Sequence, residues 1–160
     1  MRPFSQSTLK LTKVAGAISA TCQLSEAELS KIEISGITHN DSQVEPGDLF
    51  IAIPGANRHG AEFAMSAVSK GAVAILTDSA GAAYVQAVPV LVVADPRRVA
   101  GNIAALLYNE PMRDLASIGI TGTNGKTTVS TLIYQIFEAA GRDCGLIGTI
   151  ETRIGKDAIE

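Results

Sequence analysis

An α/β fold with a largely parallel sheet is what this sequence predicts, on three observations. From about residue 30, apolar runs of strand length alternate with segments of helical apolar periodicity, the pattern of repeated βαβ units. Near the end of the chain, Ala116–Thr128 repeats that order, an apolar run leading through a glycine-rich loop into an amphipathic segment. Between the two, Asn109–Leu115 (NEPMRDL) is polar and carries a breaker, which marks a boundary. The 160 residues therefore divide into an α/β domain over 1–114 and the beginning of a second over 115–160.

The elements follow in order. Thr8 is placed to cap a short helix with Leu11, Val14, Ala15 and Ile18 on one face. Leu24–Lys31 is ambiguous, and Ile32–Ser35 begins to alternate like a strand. Asp48–Pro54 (DLFIAIP) is a continuous apolar run between Pro46-Gly47 and Pro54-Gly55, the pattern of a short buried strand. Gly60–Lys70 predicts a helix closed by Gly71, and Ala72–Leu76 the next strand. Ser79–Ala87 is a further helix, weakened by Gly81, and Val88–Val93 a further strand. Asp95-Pro96 is a helix start, with Asp as cap and Pro at the first position. Val99, Ile103, Leu106 and Leu107 then form one apolar stripe, and Pro111 is the expected stop.

Composition narrows the function classes. Apolar residues make up 46% and aromatics 4%, with no Trp, so the core must be aliphatic. Thirteen Lys and Arg against 16 Asp and Glu leave a formal charge of −3, which argues against nucleic acid as a partner. No apolar stretch approaches the roughly 20 residues of a membrane helix, and Met1–Thr8 lacks the apolar core of a secretory signal. Cys22 and Cys144 stand far apart without a CxxC, so buried thiols in a reducing, cytoplasmic setting are expected rather than a disulfide or zinc site.

The most informative stretch is ASIGITGTNGKTT, where Ile118 and Ile120 are expected to form a strand entering the loop. The following helix would carry Val129, Leu132, Ile133, Ile136, Phe137 and Ala140 on one face and end at Gly141. In such a loop small residues let successive N–H groups turn toward one point, where the helix N-terminus adds partial positive charge. Gly122, Thr123, Asn124, Gly125, Lys126, Thr127 and Thr128 are thus the candidate nucleoside-triphosphate site. Lys126, the candidate catalytic residue, would reach the β- and γ-phosphates, and the Thr127 hydroxyl would ligate Mg2+. The spacing departs from the standard G-x-x-x-x-G-K-[ST], because Ile120 stands five residues before Gly125.

GTNGKTT, Gly122–Thr128, resembles the nucleotide loop of the Mur ligases, which build the peptide stem of bacterial cell-wall precursors and share the displaced glycine. Asp41–Gly60 (DSQVEPGDLFIAIPGANRHG) is similar to that family's DSR-x-V-x-PGDLF-x-A-x-x-G-x-x-x-DG segment. Tyr108–Leu115 (YNEPMRDL) and Gly145–Gly155 (GLIGTIETRIG) look most like the branch that adds the third stem residue. The resemblance runs from about residue 38 to the end of the chain.

It implies a uridine-binding α/β domain over 1–114, followed by the first strand–P-loop–helix unit of a P-loop ATPase domain over 115–160. The chain would then be an N-terminal fragment of a three-domain enzyme, not expected to act alone. The implied chemistry is ATP- and Mg2+-dependent amide ligation in peptidoglycan synthesis. Diaminopimelate or lysine would be added to UDP-N-acetylmuramoyl-L-alanyl-D-glutamate through an acyl phosphate. The implied partners are that UDP-linked dipeptide and an amino acid, with no nucleic acid, membrane segment or obligate protein partner.

Carried over position by position, the UDP-substrate contacts fall on Asn40, Ser42, Ala56, Asn57 and Arg58. Ser42 can donate and accept at a uracil edge, and the 56–58 loop can offer N–H groups to a pyrophosphate. Gln43 stands where the family pattern has Arg, losing a two-pronged grip on anions, and His59 where it usually has Asp. His59 and His39 are expected as solvated side chains, and Glu151 and Asp157 on a surface hairpin. Two other readings stay open: the following ligase, which adds a D-Ala-D-Ala dipeptide, and a non-catalytic module that captures a UDP-sugar or nucleotide. A P-loop switch or kinase ranks last, since no NKxD-type guanine reader is present.

Overall fold

A computed structural model describes residues 7–155 and 157–159, in two units, Met1–Leu115 and Ala116–Glu160. In the first unit β1 (Leu9–Lys10) leads into α1 (Leu11–Ala17) and α2 (Glu26–Leu29), and β2 (Glu33–Ile34) returns antiparallel to β1. β3 (Gly36–Thr38), β4 (Asp48–Ile51), β5 (Ala74–Thr77) and β6 (Val90–Val92) form a four-stranded parallel sheet in that spatial order. Its register pairs Thr38 with Phe50, Ile51 with Leu76 and Leu76 with Leu91. Between strands run α3 (Ala64–Ser69) and α4 (Ser79–Ala82), and α5 (Pro96–Leu107) follows β6.

Both sheet faces are covered, which is why the strands read as unbroken apolar runs. Leu49 and Ile51 of β4, with Ala74 and Leu76 of β5, pack against Leu11 and Val14 of α1 and Ile103 and Leu107 of α5. Phe50, Ala52 and Ile75 point the other way, onto Ala61, Ala64 and Ala67. The small alanines let that layer approach closely, as an aliphatic core with few aromatics requires. Full burial of a Leu or Phe in such a sheet contributes about 1.5–3 kcal/mol.

Local cap signals were legible. The Asp95 carboxylate accepts hydrogen bonds from the N–H groups of Arg97 (3.0 Å) and Arg98 (3.3 Å), with Pro96 in the first turn. Gly71 closes α3 in the left-handed region, φ +106°, with its Cα face against Pro46. The ambiguous Leu24–Lys31 stretch holds α2, opened by a reciprocal Ser25–Glu28 capping box.

Several expectations are corrected. Thr8 does not cap α1: Lys10 holds that position, without a side-chain bond, because β1 occupies the approach. The 60–70 helix begins as a tight 3-10 turn, Gly60–Phe63, and only then becomes α3. The 79–87 helix is a single turn, α4. α5 ends at Tyr108 because Asn109 turns left-handed (φ +59°), and Pro111 opens a 3-10 turn rather than stopping the helix. Cys22 and Cys144 are free but half-buried, not fully buried.

In the second unit α6 (Lys126–Ala139) is followed by three antiparallel strands, β7 (Gly145–Ile147), β8 (Thr152–Ile154) and β9 (Asp157–Ile159). The expected strand at Ile118–Ile120 is not formed. A strand's backbone needs a neighbouring ladder, and among the described residues none pairs with this segment, leaving Ile118 57% exposed. The α6 stripe is likewise buried only in part: Val129, Leu132 and Ile136 are exposed, and Tyr134 is the buried residue. Its hydroxyl donates to the Gly155 carbonyl, and the Arg153 guanidinium lies 5.8 Å over its ring. Glu151 pairs with Arg153 at 2.8 Å, and Asp157 is exposed in β9.

A substituent on Gly81 would lie 2.0 Å from Thr77 Oγ1 and 2.5 Å from His59 Cε1, whereas one on Gly101 of α5 meets nothing within 4 Å. Gly81→Ala is therefore expected to lower unfolding free energy in urea by about 1–3 kcal/mol. Gly101→Ala should raise it by about 0.4–1 kcal/mol. Equal effects at the two positions would contradict this packing.

Candidate functional site

The parallel sheet places Asn40 and Ser42 after β3 and Ala56, Asn57 and Arg58 after β4, so both groups lie beyond the carboxyl ends of neighbouring strands. In open α/β sheets that edge is where ligands bind. Asn40 caps a one-turn 3-10 helix, Asp41–Gln43; its Oδ1 accepts from the Ser42 N–H (3.0 Å) and from Ser42 Oγ (2.8 Å). The turn is tied to α3, since Asp41 Oδ2 accepts from Ser66 Oγ at 2.8 Å and Lys70 Nζ donates to the Asp41 carbonyl at 2.7 Å. The Ser66 hydroxyl, and then the Lys70 ammonium, hold the Asp41 carboxyl below the ordinary aspartate range.

The 55–58 loop is a tight turn. Gly55 N–H donates to the Arg58 carbonyl and Gly60 N–H to the Ile53 carbonyl, each at 3.0 Å, leaving Ala56, Asn57 and Arg58 exposed at the tip. Arg58 grips Glu62 through Nε (2.9 Å) and Nη2 (2.8 Å), with its guanidinium 4.7 Å over the Phe63 ring. Glu62 is held below the ordinary glutamate range by Arg58 first and the His59 N–H second.

His59 is not the solvated side chain expected. Its side chain is 16% exposed; Nε2 lies 3.1 Å from Asp78 Oδ1, Nδ1 accepts from the Ala61 N–H at 3.0 Å, and the ring stacks on Tyr84. Asp78 in turn caps α4, accepting from the Gly81 N–H at 2.8 Å, and that bond leads in depressing its carboxyl below the ordinary range, His59 adding to it. Reading the residues singly missed this. The usable signal was Glu62, three residues after His59, the spacing of a capping box. Asp78, 19 residues away, left no local trace. His39 is exposed, as expected.

The glycine-rich loop enters α6 through Gly125, whose left-handed φ of +77° suits glycine. No side chain caps α6, so the first-turn N–H groups of a 14-residue helix open toward the loop. Lys126 Nζ folds back over the same loop, donating to the carbonyls of Gly122 (2.6 Å) and Thr123 (3.4 Å). Gly122–Thr128 are exposed, Thr127 in the first turn. An ammonium group beside an uncapped helix N-terminus suits a polyphosphate. Among the described residues no group of three or more His, Cys, Asp or Glu could hold a metal ion, and no helix is long and apolar enough to cross a membrane.

A parallel sheet with loops on its carboxyl edge and, in the second unit, a glycine-rich loop opening a helix are the features of an α/β protein. Comparison with known proteins gives the family. Residues 33–108 match the model of the Mur ligase family, catalytic domain, and residues 120–160 that of the Mur ligase middle domain. The chain belongs to the Mur ligase family.

Among its relatives, a UDP-N-acetylmuramoyl-L-alanyl-D-glutamate–2,6-diaminopimelate ligase of Streptomyces avermitilis is 47% identical over 99% of this chain and 31% of its own length. A UDP-N-acetylmuramyl-tripeptide synthetase of Leifsonia xyli is 44% identical over 82% of this chain and 26% of its own. The chain thus spans about a third or less of the curated relatives it matches. In fold it is similar to a solved diaminopimelate ligase of the same name, with TM-score 0.65 and 21% identity over 94% of this chain and 30% of that one. The D-alanyl-D-alanyl ligase of Acinetobacter baumannii gives TM-score 0.63 and 23% identity over 86% of this chain and 30% of that one.

Asp41 and Asp78 both have depressed carboxyl pKa values in the folded state. Their stabilisation is present above the unfolded aspartate value of about 3.9 and is lost as pH falls through the folded values. Asp78→Asn keeps an oxygen for the Gly81 N–H but removes the titration. Urea midpoints measured from pH 5 down to about pH 3 should therefore fall less steeply in the variant than in the native chain.

Proposed function

We propose that the chain is the N-terminal part of an ATP-dependent amide ligase of peptidoglycan-precursor synthesis, which adds diaminopimelate to UDP-N-acetylmuramoyl-L-alanyl-D-glutamate in the cytoplasm. What carries the reading is 47% identity, along 99% of this chain, to a ligase of that name. The geometry supports it at two places. Residues 1–114 would hold the UDP-linked dipeptide, and residues 115–160 would begin the ATP-binding domain.

At the sheet edge, Ser42 Oγ spends its hydrogen on Asn40 and keeps its lone pairs for a uracil N–H. Ala56 and Asn57 would offer N–H groups to the diphosphate. Arg58, two of its nitrogens engaged by Glu62, would turn its Nη1 edge outward to the same group.

At the other loop, Lys126 would exchange the Gly122 and Thr123 carbonyls for phosphate oxygens and neutralise charge on the transferring group. The N–H groups at the start of α6 would hold the remaining oxygens, and the Thr127 hydroxyl would hold Mg2+. ATP and Mg2+, when bound, supply the phosphoryl group and offset its charge. The reaction joins the dipeptide's free carboxylate, activated as an acyl phosphate, to the amine of the incoming amino acid, with release of ADP and phosphate.

Calorimetric titration of the 160-residue chain with UDP-N-acetylmuramoyl-L-Ala-D-Glu, and separately with UDP, should show saturable binding, weakened about 3- to 10-fold by Ser42→Ala. A folded sample that binds neither would overturn the uridine assignment. In the full-length enzyme, Lys126→Ala should lower turnover at saturating ATP by a factor on the order of 10² or more. Unchanged turnover would remove Lys126 from the phosphoryl-transfer apparatus.

A further inference from the structure

We propose that His59 is a positioning residue for the 55–58 loop, and that the loop is competent for a diphosphate-bearing ligand only while the imidazole is neutral. The inference rests on the substrate reading of that loop given above. His59 sits at the loop's base, where its bridge with Pro54 closes the turn, so whatever fixes His59 fixes the loop's returning limb. Three elements meet its ring: the Gly60–Phe63 turn through Ala61, α4 through its cap Asp78 and Gly81, and Tyr84 beyond α4. Gly81 packs so closely that a Cβ there would lie 2.5 Å from Cε1, which leaves the ring no room to shift toward α4.

The tautomer follows from the partners. A backbone N–H can only donate, so Nδ1 must present its lone pair to Ala61, and Nε2 carries the hydrogen toward the Asp78 carboxylate. A second proton would have to go on Nδ1, where it would meet the Ala61 N–H donor to donor. Asp78 would still attract the imidazolium, but the bond to Ala61 would be lost, and with it the ring's hold on the loop's base. The charged and titratable groups around the ring are Asp78 and Tyr84 from α4 and beyond, and Arg58 and Glu62 from its own turn. Asp78 and Glu62 both stand below the ordinary carboxylate range, so neither changes charge where an imidazole titrates.

The test compares the native chain with His59→Asn, whose side-chain oxygen can still accept from Ala61 but does not titrate. Affinity for UDP-N-acetylmuramoyl-L-Ala-D-Glu, whose diphosphate is a diester without a proton to lose in this range, is measured at several values from about pH 7.5 to 5.5. The Ala61 and Asn57 amide resonances of the ligand-free native chain are followed over the same range. The native chain should weaken about 3- to 10-fold toward acid, while the variant stays closer to constant. The Ala61 and Asn57 amide resonances should move together with those of the His59 ring. His39, the other of the two histidines, is present in both proteins, so the difference between their slopes belongs to His59. Equal slopes overturn this proposal and leave the substrate reading standing. Amides that stay fixed while the His59 ring resonances move overturn it without reference to any ligand or variant. A folded native chain that binds at no pH overturns both this proposal and the substrate reading.

Discussion

Burial of β4 and β5 on both faces is the constraint from which the first unit follows. Leu49, Phe50, Ile51, Ala74, Ile75 and Leu76 are all essentially removed from water, alternate residues serving opposite cores. Such a pair needs cover on each side, and parallel connections supply it by sending the chain across a face between strands. The polar exceptions stand at strand ends. Asp48, at the start of β4, accepts from the Glu45 N–H, and Thr77, at the end of β5, donates to the Ala52 carbonyl. Thr77 then packs against Gly81, Gly81 against His59, and His59 closes the exposed loop. The core thus reaches the candidate site through close packing of Thr77 and His59 about the Gly81 backbone.

The second unit is organised on a smaller scale. Tyr134 joins α6 to the strands through its hydroxyl and ring, while Leu132, Ile136 and Ile147 remain exposed. Its candidate site depends on short-range chemistry: a left-handed glycine, an uncapped helix start and a lysine folded onto loop carbonyls three and four residues back. That loop takes its form without a paired strand leading into it. The turn at Gly125 and the start of α6 are thus set by residues close in sequence.

The same division explains what could be read from the residues alone. Asp95-Pro96, Gly71 and DLFIAIP were legible because each acts within a few residues, through a cap, a left-handed turn or a buried run bounded by breakers. The helix that starts within GTNGKTT was legible for the same reason. The strand at 118–120 was not, because its existence turns on a neighbour. The stop of α5 was misplaced because Asn109 takes the left-handed conformation before Pro111 is reached. At the candidate site, Asn40, Ser42 and the 56–58 loop were named by the family resemblance alone, and the structure places them after β3 and β4. His59 was misread because its meaning lies in Asp78 and Tyr84, and Gly81 was taken as a helix weakener although it is the space in which the ring sits.

Each of the two edge loops has an anchor of its own. The Asp41–Gln43 turn is fastened to α3 by Ser66 and Lys70, and the 55–58 loop to the β5–α4 corner by His59 and Asp78. What sets their spacing is then the pairing of β3 with β4, Thr38 opposite Phe50. A slip of one residue in that pairing would turn Phe50 toward the α1–α5 side and Leu49 and Ile51 toward the alanine layer, exchanging every buried side chain of β4 between two differently shaped cores. No small adjustment accommodates that, so the sheet holds the two loops at one separation.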